Sequence, residues 1–438
     1  LAFAEDITGR RLYQIRFKNL ETGQITKDLI LNTGSELAWH NDNKSLYFVE
    51  KDAKTLRPFV VKKHILGSKK DEIIFTEKDD TFIAGVSKSK DEGIIFIGSY
   101  SSTTTEFRFK SANDSKKFEL FLKRQKGHEY YPEAAEDEFY IKSNLKAPNF
   151  KIVKCQQKLR DPKKWKIVQA HDPKILIEDF EIFEKYLAVQ EKKDGLTRLR
   201  IFNTKTFRHR FIPPFEQTYT LYIGTNPEYK SDTLRIGYSS LTTPHTTYDI
   251  NLKTFEKVIA GQTKVLGGFK SKDYKSERIW VKSNDGVKVP LSLVYHKDHF
   301  AKRGKNPVLL YAYGSYGSST DPYFSSARLS LLNRGFVFAI AHIRGGEELG
   351  HDWYEQGKML KKKNTFLDFI ACTEYLTKAR YASKDKVFAM GGSAGGLLMG
   401  AISNMRPELW KGIVSNVPFV DVVTTMQDDT IPLTTGEY

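Results

Sequence analysis

The stretch VFAMGGSAGGLLMG, residues 387–400, places one serine between two pairs of glycines. Four mostly apolar residues precede the glycines and an apolar run follows them, which predicts a strand that turns sharply into a helix. Gly391, Ser393 and Gly395 match the G-x-S-x-G pattern of a nucleophile elbow, where side chains two residues before and after the serine would collide. The amide of Ala394 would then point towards a bound carbonyl. Ser393 is the candidate nucleophile, and an ordinary glycine-rich turn is the alternative.

The segments around this elbow alternate between strand and helix patterns from about Gly267 onward. Such alternation predicts a parallel α/β sheet. Thr365 and Asp368 have the spacing of a capping box at the start of the predicted helix. The predicted elements are a hairpin of 278–282 and 289–294 with an Asp-Gly turn, strands at 307–313, 335–343, 387–390 and 412–416, and a helix at 364–378.

Short strand-like segments recur through the first 260 residues. They begin at residues 1, 46, 94, 139, 186 and 234, so the steps are 45, 48, 45, 47 and 48 residues. Tyr, Phe, Thr and Ile fill these segments, and polar turns usually precede them. A period in the mid-forties with about four strands in each unit predicts a β-propeller, with an irregular β-sandwich as the alternative. We therefore expect a propeller of about six visible units over 1–265 and an α/β-hydrolase domain over 266–438.

Composition excludes several classes of protein. The chain has 438 residues, 40% of them hydrophobic, but no apolar run approaches the roughly 18 residues of a membrane helix. The net charge of +16 has no nucleic-acid motif beside it, so we interpret it as a basic solvated surface. Cys155 and Cys372 lie far apart, which argues against a disulfide framework and predicts a cytoplasmic protein. No cysteine–histidine cluster has metal-ligand spacing, and we expect no cofactor, nucleic acid or membrane partner.

Further motifs carry a family resemblance over essentially the whole chain. LYAYGSYG at 310–317 and HIRGGEELG at 342–350 accompany the serine motif, and together they resemble the prolyl oligopeptidase family. KKKNT at 361–365 and the run at 417–438 resemble its oligopeptidase B branch, which cuts after basic residues. The resemblance implies a propeller, of seven blades in the parent, followed by a hydrolase domain. It also implies a serine peptidase that acts on short peptides containing Arg or Lys.

The resemblance assigns the groups that perform the chemistry. Ser393 matches the nucleophile, and Tyr313 matches a tyrosine whose hydroxyl joins the Ala394 amide in the oxyanion hole. A phenol suits that role because its hydrogen bond strengthens as negative charge develops. On the residues alone, Tyr313 is equally well a core aromatic at the end of a strand.

The resemblance also assigns the substrate pocket. Tyr316 matches an aromatic residue of the S1 pocket, and Glu437 matches a carboxylate that holds the P1 arginine or lysine. Asp321 lies where the branch carries acidic residues that face P2. Tyr323 replaces a second aspartate that some members have, so a dibasic preference does not follow. The residues after Ser393 carry a net charge of −3, which suits a cationic substrate.

The resemblance implies a triad aspartate and histidine that should lie well downstream of Ser393, beyond residue 438. α/β-Hydrolases have the order Ser, Asp or Glu, His, yet the 45 residues that follow Ser393 include no histidine. We therefore expect the chain to be an internal fragment of a longer enzyme, incomplete at both ends and inactive alone, because an unactivated serine is a poor nucleophile. His342 is the alternative base.

Two other functions are open at this stage. The chain could be a non-catalytic binding module built from a propeller and a degenerate hydrolase domain. It could also be a prolyl or aminoacyl-releasing peptidase, whose pocket would need no carboxylate at Glu437. The oligomeric state is not predicted.

Overall fold

The computed structural model describes residues 1–301 and 303–428. The chain divides into two compact units. The first contains Leu1–His171 with the short segments Ile182–Glu184 and Pro227–Lys230, and the second contains the rest of the chain. The predicted domain boundary at 265/266 falls inside the second unit, after the strand that ends at Gln262 and before the one that begins at Tyr274.

The first unit is built from antiparallel sheets. Strands β1 to β6 form one sheet in chain order and span Ala2–Glu5, Tyr13–Lys18, Ile25–Trp39, Ser45–Lys51, Pro58–Ile65 and Glu72–Thr76. Two four-stranded sheets follow. The first comprises β7 to β10 at Ile83–Lys88, Ile94–Tyr100, Thr105–Ser111 and Glu119–Leu122. The second comprises β11 to β14 at Tyr130–Ala135, Glu138–Ser143, Lys151–Gln156 and Lys166–Gln169.

The second unit begins with two more sheets of this kind. Strands β15 to β18 span Ile175–Ile182, Tyr186–Lys193, Leu196–Asn203 and His209–Phe211. Strands β19 to β22 span Tyr219–Ile223, Thr233–Ser240, Thr246–Asn251 and Lys257–Gln262. Each predicted repeat segment is a strand, but the six units correspond to five sheets. The 15-residue β3 pairs with both β2 and β4, with a register shift between Thr33 and Leu37, so it joins two units into one sheet.

A six-stranded mixed sheet organises the remainder of the second unit. Its strands are β23 to β28 at Tyr274–Lys282, Lys288–His296, Val308–Tyr311, Val337–Ala341, Val387–Gly392 and Gly412–Asn416. The order is β23-β24-β26-β25-β27-β28. The predicted hairpin is β23 and β24, which pair antiparallel, and β26, β25, β27 and β28 are parallel. The predicted parallel sheet is confirmed for these four strands.

Among residues 303–428, four helices lie between the parallel strands and a fifth follows the last of them, β28. They are α1 to α5 at Ser326–Leu332, His351–Glu355, Lys363–Lys378, Ala394–Met405 and Val422–Gln427. The apolar sides of α3 and α4 pack with the sheet into one core that includes Leu310, Phe369 and Leu398. In the part of the chain that the structure describes, no helix combines the length and apolar character required to cross a membrane.

The predicted capping box at the start of α3 is wrong. The helix already begins at Lys363, and the Thr365 hydroxyl donates to the carbonyl of Arg344 at 2.9 Å rather than capping the helix. Asp368 is completely buried and accepts hydrogen bonds from Arg344. Both side chains are used for contacts with another part of the fold, so they are not available to the first turn.

Candidate active site

Ser393 occupies the sharp turn between β27 and α4, as the motif predicts. Its backbone has φ 53° and ψ −118°, a strained conformation for a residue with a side chain, and its amide donates to the Asn416 carbonyl at 2.9 Å. Ser393 is exposed, although its neighbour Ala394 is 2% exposed. The turn therefore presents the hydroxyl at the C-terminal end of the parallel strands.

The glycines of the motif are required by the packing at this turn. A β-carbon on Gly391 would overlap the carbonyl group of Gly395. A β-carbon on Gly395 would lie 2.9 Å from the Ala312 carbonyl oxygen, and one on Gly396 would lie 2.5 Å from the α-carbon of Pro418. Any side chain at these positions would push α4 away from the sheet, which accounts for the residue types that surround the serine.

The two groups predicted to form the oxyanion hole both lie at the elbow. The amide of Ala394 is in the first turn of a 12-residue helix, where amides have no intrahelical partner and the helix dipole is positive. Tyr313 follows the neighbouring strand β25, and its Cδ2 atom lies 3.6 Å from the β-carbon position of Gly395. The structure thus brings Tyr313 to the elbow from a distant part of the sequence.

The loop that carries Tyr313 is held by two other predicted motifs. The amide of Gly317 donates to the Gly345 carbonyl at 3.0 Å, and Gly345 itself lies against the Gly314 carbonyl, where a β-carbon would collide. The Lys362 ammonium donates to the Gly314 carbonyl at 2.8 Å. This role of Lys362 was not predicted, because a lysine in a basic run usually signals only solvent exposure.

Two of the predicted pocket residues lie near Tyr313, and the third is outside the described residues. Tyr316 is 40% exposed, and its ring centroid lies 6.3 Å from that of Tyr313, so these two aromatic residues are neighbours. Tyr323 is 47% exposed. Asp321 lies in the wall of a cavity that Tyr313 and Tyr323 also line, but its carboxylate is bound to other side chains. Glu437 lies outside the described residues.

His342 is not available to Ser393 in this arrangement. Its Nε2 atom lies 2.7 Å from the Ser292 hydroxyl on β24, and its Nδ1 atom lies 3.9 Å from the Glu348 carboxylate. In the sheet order β24 and β27 lie on opposite sides of β26, so His342 faces away from the elbow. Burial lowers the pKa of His342, which keeps the imidazole neutral.

Two buried ion pairs near the site were missed by sequence reasoning. Arg344 pairs with Asp368, 24 residues away, and Lys192 pairs with Asp321, 129 residues away. Nothing in the local pattern distinguishes these residues from surface charges. Only their burial, to 3% exposure or less for three of the four side chains, reveals them.

Comparison with known proteins explains why an elbow of this kind follows a series of small antiparallel sheets. The profile of the prolyl oligopeptidase N-terminal β-propeller domain matches residues 1–263, and the prolyl oligopeptidase family profile matches residues 322–438. The chain belongs to the prolyl oligopeptidase family. Its architecture is accordingly a propeller domain followed by part of an α/β-hydrolase peptidase domain.

Curated relatives in the prolyl oligopeptidase family align over the whole chain. It is 46% identical to dipeptidyl aminopeptidase BI of Pseudoxanthomonas mexicana, covering 61% of that protein. It is 39% identical to Protease 2 of Moraxella lacunata, covering 63% of that protein. The chain therefore spans less than two thirds of the length of these relatives.

Solved structures of oligopeptidase B share the fold. The enzyme from Leishmania major matches with a TM-score of 0.93 and 36% identity, over 99% of this chain and 63% of that one. The enzyme from Trypanosoma brucei with covalently bound antipain matches with a TM-score of 0.91 and 35% identity, over 99% of this chain and 62% of that one. The resemblance predicted from the motifs is confirmed.

Proposed function

We propose that this protein is a serine-type oligopeptidase that cleaves short peptides after Arg or Lys through an acyl-enzyme on Ser393. One observation carries the proposal: an exposed serine with a strained backbone at the N-terminus of α4, in a chain of the prolyl oligopeptidase family. Strained residues persist where the surrounding structure holds them in place, and they cluster at active sites.

The geometry supports acyl transfer. The Ser393 Oγ atom attacks the peptide carbonyl carbon and gives up its proton to a general base. The carbonyl oxygen becomes an oxyanion, which the Ala394 amide and the Tyr313 hydroxyl stabilise by hydrogen bonds. The C–N bond then breaks, the amine leaves with a proton, and water hydrolyses the ester to regenerate the serine.

The general base is not among the described residues beside Ser393. The histidine considered from the sequence, His342, is bound to Ser292, and no histidine follows Ser393 in the sequence. We infer that the base and its carboxylate partner belong to the part of the relatives that this chain does not span. The 438-residue chain alone is then expected to be inactive, because an unactivated serine is a poor nucleophile and the proposed base lies outside this chain.

Preference for a basic P1 residue is proposed from the likeness to oligopeptidase B and from Glu437. A carboxylate in a desolvated pocket pairs strongly with a guanidinium and rejects neutral side chains. The residues after Ser393 add a net charge of −3 to this region of the sequence. The partners are thus short peptides with Arg or Lys, and we infer a reducing, cytoplasmic location because both cysteines are free and buried.

A second candidate is release of dipeptides from a free N-terminus. Its support is the 46% identity to a protein named dipeptidyl aminopeptidase BI. The two candidates share the nucleophile and differ only in whether the substrate amine is recognised.

Hydrolysis of chromogenic peptides by the full-length protein tests these proposals. Arg, Lys and Pro are compared at P1, each with a free and with a blocked N-terminus. We expect cleavage after Arg and Lys, and loss of at least about 1000-fold in kcat for Ser393→Ala. Ser403→Ala, on the same helix, is the matched control, since that hydroxyl only bonds the Gly400 carbonyl within its own helix.

The outcomes separate the candidates. Cleavage of blocked peptides supports the endopeptidase, whereas a strict need for a free amine supports dipeptide release. Preference for Pro at P1 would place the protein with the prolyl enzymes. Equal rates for wild type and Ser393→Ala would exclude the serine mechanism and favour a binding module.

A further inference from the structure

A cavity of 610 Å³ opens beside Tyr313 in the hydrolase part of the second unit. Most of its described wall is apolar or hydroxyl-bearing, and the charged side chains that the described residues contribute are Asp321 and Arg328. In the proposed function Tyr313 binds the P1 carbonyl oxygen, so this cavity lies beside the bound peptide. Whether these two charged groups are already paired with other side chains therefore decides which substrate side chains the cavity accepts.

The carboxylate of Asp321 is held by two other side chains. Its Oδ1 atom accepts a hydrogen bond of 3.1 Å from the Lys192 ammonium, and its Oδ2 atom accepts one of 3.1 Å from the Thr220 hydroxyl. Lys192 lies on β16 and Thr220 on β19, in the same compact unit. Both carboxylate oxygens thus have a partner from the blade sheets, and the Asp321 side chain is only 15% exposed.

Lys192 is fixed in this position by its surroundings. Its side chain is 1% exposed, and its ammonium also lies 3.0 Å from the Glu178 carboxylate. Burial alone would lower the pKa of Lys192, but Asp321, Glu178 and Glu348 together raise it above the ordinary value. A buried ammonium is costly without a carboxylate partner, so Lys192 keeps Asp321 bound.

Arg328 adds a second cation to the wall. Its guanidinium lies 3.9 Å from the ring centroid of Phe338 and donates to the Tyr323 carbonyl at 2.9 Å, and it forms no ion pair with a carboxylate in residues 1–301 and 303–428. Burial lowers its pKa to about 10, which leaves it charged at neutral pH. Among the described residues, the cavity wall consequently presents one occupied carboxylate and one guanidinium.

We propose that Lys192 is a specificity-determining residue that withdraws Asp321 from the substrate, so that the site accepts a neutral or acidic residue at P2 and disfavours a basic one. This inference rests on the proposed oligopeptidase function. The substrates are peptides with a single basic residue at P1 and not dibasic peptides. A basic P2 side chain would meet the Arg328 guanidinium and find the cavity carboxylate already paired.

The test uses the full-length protein and peptides with Arg at P1 and Lys, Ala or Glu at P2. For wild type we expect kcat/KM with Lys at P2 to be no higher than with Ala. Lys192→Met frees the carboxylate and should raise the Lys-to-Ala ratio by about 10-fold. Lys193→Met, the exposed neighbour on the same strand, is the matched control and should leave the ratio unchanged.

A second variant keeps the inference falsifiable if Lys192→Met does not fold. Asp321→Asn should leave the Lys-to-Ala ratio of the wild type unchanged, because the carboxylate is not available to the substrate. A wild-type preference for Lys at P2 that Asp321→Asn removes would overturn the inference and leave the proposed function intact. Failure to cleave any peptide with Arg at P1 would instead overturn the proposed function, and this inference with it.

Discussion

The guanidinium of Arg344 and the carboxylate of Asp368 form two hydrogen bonds, of 2.8 Å from Nε and 2.6 Å from Nη2. The two side chains are 3% and 0% exposed. Arg344 also binds Asp285 at 2.6 Å, which fixes the third nitrogen of the guanidinium. This pair connects α3 to the segment that follows β26, the same segment whose Gly345 supports the Tyr313 loop.

Removal of one partner of this pair should be strongly destabilising. Asp368→Asn removes the negative charge that pairs with the buried Arg344 guanidinium. We expect the free energy of unfolding to fall by about 3 to 5 kcal/mol. Chemical denaturation measures the change. Asp352→Asn, an exposed aspartate in the first turn of α2, is the control and should cost less than about 1 kcal/mol. A loss for Asp368→Asn as small as the control would contradict this account.

Tyr313→Phe should reduce the rate of the chemical step. The phenol is proposed to bind the oxyanion that forms only in the transition state, so kcat should fall by about 100- to 1000-fold with little change in KM. Steady-state kinetics of the full-length protein on a peptide with Arg at P1 measures both constants. Tyr375→Phe on α3 serves as the control. A rise in KM at unchanged kcat would show that Tyr313 only packs against the substrate.

Gly391→Ala should damage the elbow. The new methyl group would overlap the Gly395 carbonyl, and in the full-length protein we expect a loss of about 1 to 3 kcal/mol of stability together with loss of Ser393 labelling by a fluorophosphonate probe. Gly400→Ala on α4 is the matched control, because its methyl group would meet only Val420, at 3.5 Å. Helix propensity predicts that this control is neutral or stabilising. Normal labelling of Gly391→Ala would mean that the turn tolerates a side chain.

Buried His342 should make the protein sensitive to mild acid. Burial lowers its folded-state pKa below the unfolded value of about 6.5, so acidification protonates the unfolded chain before the folded one. Stability should therefore fall as the pH drops below about 6.5, with a slope of up to about 1.4 kcal/mol per pH unit from this group. His342→Gln should show a shallower fall between pH 7.5 and pH 5.5 in denaturation experiments.

His351 provides a control of opposite sign. The hydrogen bond between His351 and Glu347 raises the pKa of His351. The stability that His351 adds to the folded state is therefore fully present below about pH 6.5, and it is lost as the pH rises through the folded-state pKa. His351→Gln should therefore make the fall in stability on acidification steeper. Identical pH profiles for the two variants would refute the assignment of these shifts.

The elements that could be predicted from the sequence depend on short-range patterns. The β23–β24 hairpin was predicted from an Asp-Gly turn, and Gly286 has the positive φ, 87°, that such a turn requires. The strand before Ser393 and the helix after it were predicted from apolar runs and flanking glycines. In these cases the conformation is decided by the residue types within a few positions of each other.

The capping-box prediction failed because its side chains have other partners in the fold. Thr365 and Asp368 have the spacing of a capping box, but the fold brings Arg344 to both: the Thr365 hydroxyl donates to the Arg344 carbonyl, and the Asp368 carboxylate binds the buried Arg344 guanidinium, which needs an opposite charge. His342, which the sequence offered only as an alternative base, binds Ser292 on β24. Local spacing carries no information about a partner that arrives from another strand.

The sequence by itself determined the sheet-forming repeat, the α/β alternation and the serine turn, because each follows from periodicity and from the steric freedom of glycine over a few residues. Only the tertiary structure decided which charges are bound and which are available, as for Lys192 and Asp321, which lie 129 residues apart. The physical reason is burial: a charge removed from water must find an opposite charge nearby, and that neighbour is set by how strands distant in sequence pack together.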